Sequence, residues 1–230
     1  MKNVLIANAL RYPALSAEIR HAFEQSGYGV TLSNAVTEAE INQVVADAEK
    51  EQEGIYALIY IPQTVFNASI LDCKSAERIF DEMRQELQGG AFWLKAVGNS
   101  MVKNGIEGRI VILSHVTSNV PTQKFSYCST GQAALNNLGR VAAVELAEYG
   151  IRTNLLVMGW TDTENQNHFV GQLRALHQHD KAPLLPTISN DEIAKMCFTL
   201  CDPRMSAVNG AMITLDGGFS VTRHIRKLEA

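Results

Sequence analysis

Short apolar runs alternate with helically spaced apolar positions along the chain. Val4–Ile6 has the length and character of a short buried strand. From Leu15 to Ser26, Leu15, Ile19, Ala22 and Phe23 share one helical face, and Gly27 stands where a left-handed residue would end that helix. Val30–Leu32 reads as a second strand. Thr37 followed by Glu40 forms a capping box, opening a helix with Ile41, Val44, Val45 and Ala48 turned inward. Ile55–Ile61 is apolar throughout, the pattern of a strand covered on both faces of a parallel sheet, and Pro62 ends it. A long helix is predicted from about Ser75 to Val102 through Ile79, Phe80, Met83, Leu87 and Leu94. Ile110–Leu113 follows as a strand, then a helix from Tyr127 to Tyr149 ending at Gly150, then the strand Thr153–Met158. Ser189 and Glu192 make a second capping box for a helix over Asp191–Leu200, and Met212–Leu215 is the closing strand.

This alternation predicts an α/β fold, a single Rossmann-like domain spanning residues 1–230 around a doubly wound parallel sheet. Residues 160–187 lack clean periodicity and are expected to form a flap over the carboxyl edge of the sheet, with a basic C-terminal tail over 221–230. At 230 residues, with 46% hydrophobic and 19% charged residues, the chain can bury one sizeable core and is not disordered or fibrous. A net charge of -4 argues against a nucleic-acid binder. The longest apolar run, Ile55–Ile61, is far short of a membrane span, and the N-terminus carries too short an apolar stretch for a secretory signal. A cytoplasmic protein is expected.

Four cysteines, Cys73, Cys128, Cys197 and Cys201, fit reduced core thiols, since no His or Cys pair stands near Cys197 and Cys201 to complete a metal shell. His177 and His179 beside Asp180 are spaced by two and would not share a helical face. Asp162 and Glu164 read as solvated loop carboxylates. No metal site is expected.

The C-terminal half carries Gly108-Arg-Ile-Val-Ile-Leu-Ser114, Tyr127, Gly150-Ile-Arg-Thr-Asn154, Gly159-Trp-Thr-Asp-Thr163 and Asn209-Gly210 followed by Leu215-Asp216-Gly217-Gly218. In order and spacing these segments resemble the short-chain dehydrogenase/reductase family over most of the chain. The resemblance implies an oxidoreductase fold in which a Ser thirteen residues before a Tyr polarises a carbonyl and the Tyr exchanges the proton; Ser114 and Tyr127 hold that separation. It also implies a Lys four residues after the Tyr, where this chain has Gly131, and an Asn on the preceding helix, where it has Glu86. An ordinary tyrosine titrates near ~10, so without a neighbouring cation its phenolate is scarce at neutral pH.

The nucleotide half departs further. Where the family places a glycine-rich turn at a helix N-terminus, this chain reads Ala7-Asn8-Ala9-Leu10-Arg11-Tyr12-Pro13-Ala14. Leu32-Ser33-Asn34 offers no carboxylate for the adenosine ribose, and Tyr60-Ile61-Pro62-Gln63 replaces the family's Asn-Asn-Ala-Gly. The Pro expected before Gly159 is Met158. Each loss removes a separate contact to one dinucleotide, so no NAD(P) is expected on this chain.

The expectation that follows is a catalytically inert subunit with vestigial Ser114 and Tyr127, similar to the non-catalytic subunit of a hetero-oligomeric NAD-dependent hydroxyacyl-CoA dehydrogenase of the kind used in anaerobic toluene degradation. The resemblance implies an intact short-chain partner carrying NAD in a heterotetramer. Small residues Gly89, Gly131, Ala134, Gly139 and Ala142 are expected at that interface, where the family's two long helices pair. The tail residues Arg223, Arg226 and Lys227 are expected either to solubilise the chain end or to contact an anionic acyl-CoA substrate on the partner. Two alternatives stand beside this: a small-molecule-binding or regulatory protein using an emptied crevice lined by Leu10, Tyr12 and Pro13, and an active reductase with a rearranged site.

Overall fold

A computed structural model of the chain describes residues 2–51, 54–62, 70–71, 76–122, 125–161 and 187–222. All six predicted strands form: β1 (Asn3–Ala7), β2 (Gly29–Ser33), β3 (Ile55–Tyr60), β4 (Arg109–His115), β5 (Arg152–Met158) and β6 (Met212–Leu215). They make one parallel sheet in the order β2-β1-β3-β4-β5-β6. The helices are α1 (Pro13–Glu24), α2 (Glu38–Glu51), α3 (Ala76–Lys103), α4 (Ser126–Glu145), α5 (Asn190–Leu200) and the short α6 (Phe219–Thr222).

Because side chains alternate across a strand, each strand feeds two cores. Val4, Ile6, Ile59, Val111, Leu113 and Leu156 face α1 and α5, meeting Ile19, Phe23, Ile193 and Cys197. Leu5, Leu58, Ile110, Ile112 and Leu155 face the opposite layer, meeting Ile41, Val45, Trp93, Val97 and Leu135. That double coverage is why β3 is apolar at every position.

The helix ends follow the local signals. Thr37 N–H donates to Glu40 Oε2 at 3.1 Å while Glu40 N–H donates to Thr37 Oγ1 at 3.3 Å. Ser189 and Glu192 cap each other in the same way. Gly27 and Gly150 adopt φ of 79° and 75°, the left-handed residues that stop their helices. The helix predicted through Tyr149 instead ends at Glu145 and tightens into a 3₁₀ turn over Ala147–Tyr149.

Two features change the picture drawn from the sequence. A doubly wound sheet commonly runs 3-2-1-4-5-6. Here α2 leads from β2 directly into β3, which pairs on the far side of β1, so β2 is left at the sheet edge. The small residues expected at a subunit interface also pack largely within the chain. A Cβ on Gly139 would lie 2.7 Å from Ile112 Cδ1, and one on Gly89 would lie 3.1 Å from the Tyr60 hydroxyl. Ala142 is buried in the same layer. These three let α3 and α4 approach the sheet, and are not free for a partner. Among the described residues, no helix is long and apolar enough to cross a membrane. Most of the flap expected over 160–187 and the basic tail with Arg223, Arg226 and Lys227 lie outside the described residues, as do Asp162, Glu164, His177, His179 and Asp180.

Candidate functional site

All six strands point the same way, so their carboxyl ends share one edge, where open α/β sheets bind ligands. At this edge β1 ends in Asn8, whose φ of 61° makes it the non-glycine residue with positive φ among those described. Asn tolerates this region because its short side chain can bond locally. Here its Nδ2 donates to the Ile61 carbonyl at 2.7 Å, holding the turn to the end of β3. The turn continues as a single 3₁₀ turn over Ala9–Arg11. Leu10 N–H donates to Asn34 Oδ1 at 2.7 Å, so the residue after β2 that carries no carboxylate caps the turn instead. Pro13 then opens α1 without an N–H of its own, and Ser16 Oγ donates back to the Ala9 carbonyl at 2.7 Å. Within the turn, Arg11 N–H donates to the Asn8 carbonyl at 3.1 Å and Ser16 N–H to the Tyr12 carbonyl at 2.9 Å.

Tyr12 stands at the N-cap of α1 and Tyr60 at the end of β3. Burial raises the Tyr12 hydroxyl pKa above its ordinary value, the nearby Arg11 opposes this, and Cys128 and Glu86 add to it. Tyr60 is buried; its hydroxyl donates to the Glu86 carbonyl at 3.3 Å and bonds the Asn8 side chain. Burial first and Glu86 second push its pKa far up. Burial also drives the Cys128 thiol up to about 12, with Glu86 adding to it. Asn8, Tyr12, Tyr60, Glu86 and Cys128 thus draw β1, α1, β3, α3 and α4 together across the edge. The cluster holds neutral phenols and a neutral thiol at pH 7.

Ser114 is fully buried at the end of β4, and its hydroxyl lies 3.5 Å from Ser118 Oγ, a long contact. Ser118 in turn donates to the His115 carbonyl at 2.7 Å and accepts from Asn136 Nδ2 at 3.0 Å. The Ser114 hydroxyl is therefore turned into the corner after β4. Tyr127, in the first turn of α4, reaches the same edge and is half-buried, because α4 runs antiparallel to the strands it joins. Gly131, four residues after Tyr127, is buried, and a Cβ there would make ordinary van der Waals contact with Met83 Cγ of α3 at 3.6 Å.

His115, beside Ser114, was not singled out in the sequence. Gln132 Oε1 accepts its backbone N–H at 2.8 Å, and Thr117 N–H donates to its Nδ1 at 3.3 Å. With Nδ1 accepting, the ring hydrogen sits on Nε2, which is buried and makes no hydrogen bond. Burial lowers the His115 pKa to about 4. Its ring meets Trp160 edge-on at 4.5 Å, and Trp160 packs on Phe125 at 5.3 Å and Phe219 at 6.2 Å. With Val116 and Val157 these aromatics form a third apolar cluster over the ends of β4 and β5. His115 and Trp160 stand at or just past the carboxyl end of a strand, but no periodic signal in the sequence marks them.

The family profile described as enoyl-(acyl carrier protein) reductase matches residues 5–220. The chain belongs to the short-chain dehydrogenase/reductase family. Among curated members it is 32% identical over 133 residues to a tropinone reductase homolog of Arabidopsis thaliana, covering 57% of this chain and 49% of that protein. It is 27% identical over 146 residues to the L-rhamnose-1-dehydrogenase of Scheffersomyces stipitis, covering 63% and 57%. The chain thus spans about half the length of these short-chain relatives. Among solved members, the sorbitol-6-phosphate 2-dehydrogenase of Erwinia amylovora superposes with a TM-score of 0.83 at 18% identity, covering 94% of this chain and 98% of that one. A Pseudomonas aeruginosa short-chain oxidoreductase described as containing an atypical catalytic center superposes with a TM-score of 0.79 at 14% identity, over 97% and 98%. At these identities the likeness is one of fold.

Proposed function

We propose that this chain is a catalytically inert subunit of a heteromeric short-chain dehydrogenase. What supports the reading is the chemistry of the turn after β1. Asn8, Tyr12 and Pro13 stand where a glycine turn would admit a pyrophosphate, and Asn34 already holds the turn's Leu10 amide. Gly131 has no side chain with which to supply the cation that the family's lysine would offer. The residues present do not fit a dinucleotide, and no hydride step is derived through one.

On this reading an intact short-chain partner carries the Ser-Tyr-Lys set and NAD, in a heterotetramer. The partner seats against the outward faces of α3 and α4, where Phe80, Val141 and Val144 are exposed. Its substrate is a hydroxyacyl-CoA, as in the β-oxidation of benzylsuccinyl-CoA, with Arg223, Arg226 and Lys227 available to its phosphates. The test is an NADH fluorescence titration of the chain alone to about 1 mM, a binding free energy of ~4 kcal/mol. No binding is expected, together with co-purification of a short-chain partner. Saturable binding overturns the reading.

A second reading, an active reductase, is favoured by the relatives' own names as reductases and dehydrogenases and by Ser114 and Tyr127 reaching one edge. Turnover by the isolated chain that disappears in Tyr127→Phe would put it first.

A further inference from the structure

We propose that the outer edge of β2 pairs antiparallel with the same strand of a second copy of this chain, extending the sheet across a two-fold axis. The proposal is independent of whether the chain is inert and uses a surface far from α3 and α4.

The backbone fixes which groups are free. Gly29 N–H donates to the Lys2 carbonyl at 3.0 Å, and β1 and β2 run in register from Asn3 with Gly29 to Ala7 with Ser33. In a parallel ladder every second residue of a strand bonds a given neighbour, so Gly29, Thr31 and Ser33 are turned to β1. The N–H and C=O groups of Val30 and Leu32 therefore point outward. Among the described residues no strand pairs with them.

Free edges are usually guarded by charges, prolines or bulges. Between Ser26 and Thr37 this chain has no charged residue and no proline. Leu32 is 42% exposed and Leu10 74%, and with Pro13 and Ala17 they line a groove of about 300 Å³ between the edge and α1. The strand thus offers backbone pairing with an apolar strip alongside it.

Charge identifies the occupant as a copy of the chain. Arg20 and Glu24, one helical turn apart and 2.7 Å from each other, line the same groove. Across a two-fold normal to the sheet, α1 meets its copy running antiparallel, so Arg20 of each copy faces Glu24 of the other. This doublet complements itself only when reversed, as an isologous interface requires.

The experiment follows hydrogen exchange of the full chain at high and low protein concentration. The Val30 and Leu32 amides, which have no acceptor among the described residues of one copy, are expected to be slowed about 100-fold at high concentration and released on dilution. Leu32→Pro removes one outward N–H that β1 does not use, at a position where edge strands accept proline. It is expected to halve the mass measured by light scattering, whereas Leu32→Thr, which keeps the N–H, leaves it unchanged. Arg20→Glu is expected to weaken the association and the double swap Arg20→Glu with Glu24→Arg to restore it. Association through α3 and α4 survives all of these changes, so the two surfaces are told apart. The proposal is overturned if both amides exchange freely at every concentration, if Leu32→Pro leaves the mass unchanged, or if protection appears only on adding a different chain.

Discussion

The two ends of the carboxyl edge are held together by different bonds. Over β4–β6 the family segments persist, and each has work to do within the fold. Asn154 donates to the Val208 carbonyl at 2.9 Å and accepts from Ala211 N–H at 3.1 Å. Asn209 ties Thr153 N–H to the Ala143 carbonyl. Asp216 accepts from Gly218 and Ser220 N–H, both at 2.8 Å, and a Cβ on Gly159 would lie 2.7 Å from the Asp216 Cα.

Over β1–β3 the same edge is held by bonds among the turn residues themselves. Asn8 takes the left-handed turn, Asn34 caps it, and Tyr12 and Tyr60 lie against Glu86. The difference teaches that the segments over β4–β6 can be accounted for by the bonds they make inside the fold.

The largest effect that could break this comparison is at Asn154. Asn154→Ala strands a carbonyl and an amide that are both half-buried, each costing ~1–2 kcal/mol, so a loss of about 3 kcal/mol is expected in urea unfolding. A loss below about 1 kcal/mol would remove the structural reason offered for that motif.

His115 sharpens the boundary between the two regions. Its pKa in the folded chain is about 4 against 6.5 in the unfolded one, because burial disfavours the imidazolium. The unfolded chain therefore binds the extra proton first, and stability falls as pH drops from 6.5 towards 4, by up to about 3 kcal/mol, and levels off below. The pH dependence of the thermal midpoint measures this, and His115→Phe is expected to flatten it in that window. An unchanged slope in the variant would assign the window to other groups.

The smallest effect is at the turn after β1. Asn34→Ala removes the exposed cap on Leu10 N–H and is expected to cost ~0.5 kcal/mol, with NADH still unbound. Binding gained by that change alone would mean that a single side chain, and not the whole turn, keeps the crevice shut.

The strands were legible because β3–β5 are buried on both faces, and both capping boxes because their signals are local. Tyr127 and Gly131 were legible as a motif and its loss. His115 was not, since a histidine at a strand end carries no periodic signal, and its neutral state comes from Trp160 and its other neighbours closing around it. Nor could the sequence place Gly139 and Gly89 against the sheet: small residues along a helix look alike whichever neighbour they admit.

By itself the sequence determined the element order, the helix stops at Gly27 and Gly150, and the absence of a glycine turn after β1, because each rests on residues adjacent along the chain. The tertiary structure alone decided that Tyr12, Tyr60, Glu86 and Cys128 meet, that Asn34 reaches Leu10, and that β2 is left at an open edge. Those outcomes depend on which strands lie side by side, a choice made by burial across the whole sheet and written in no single segment.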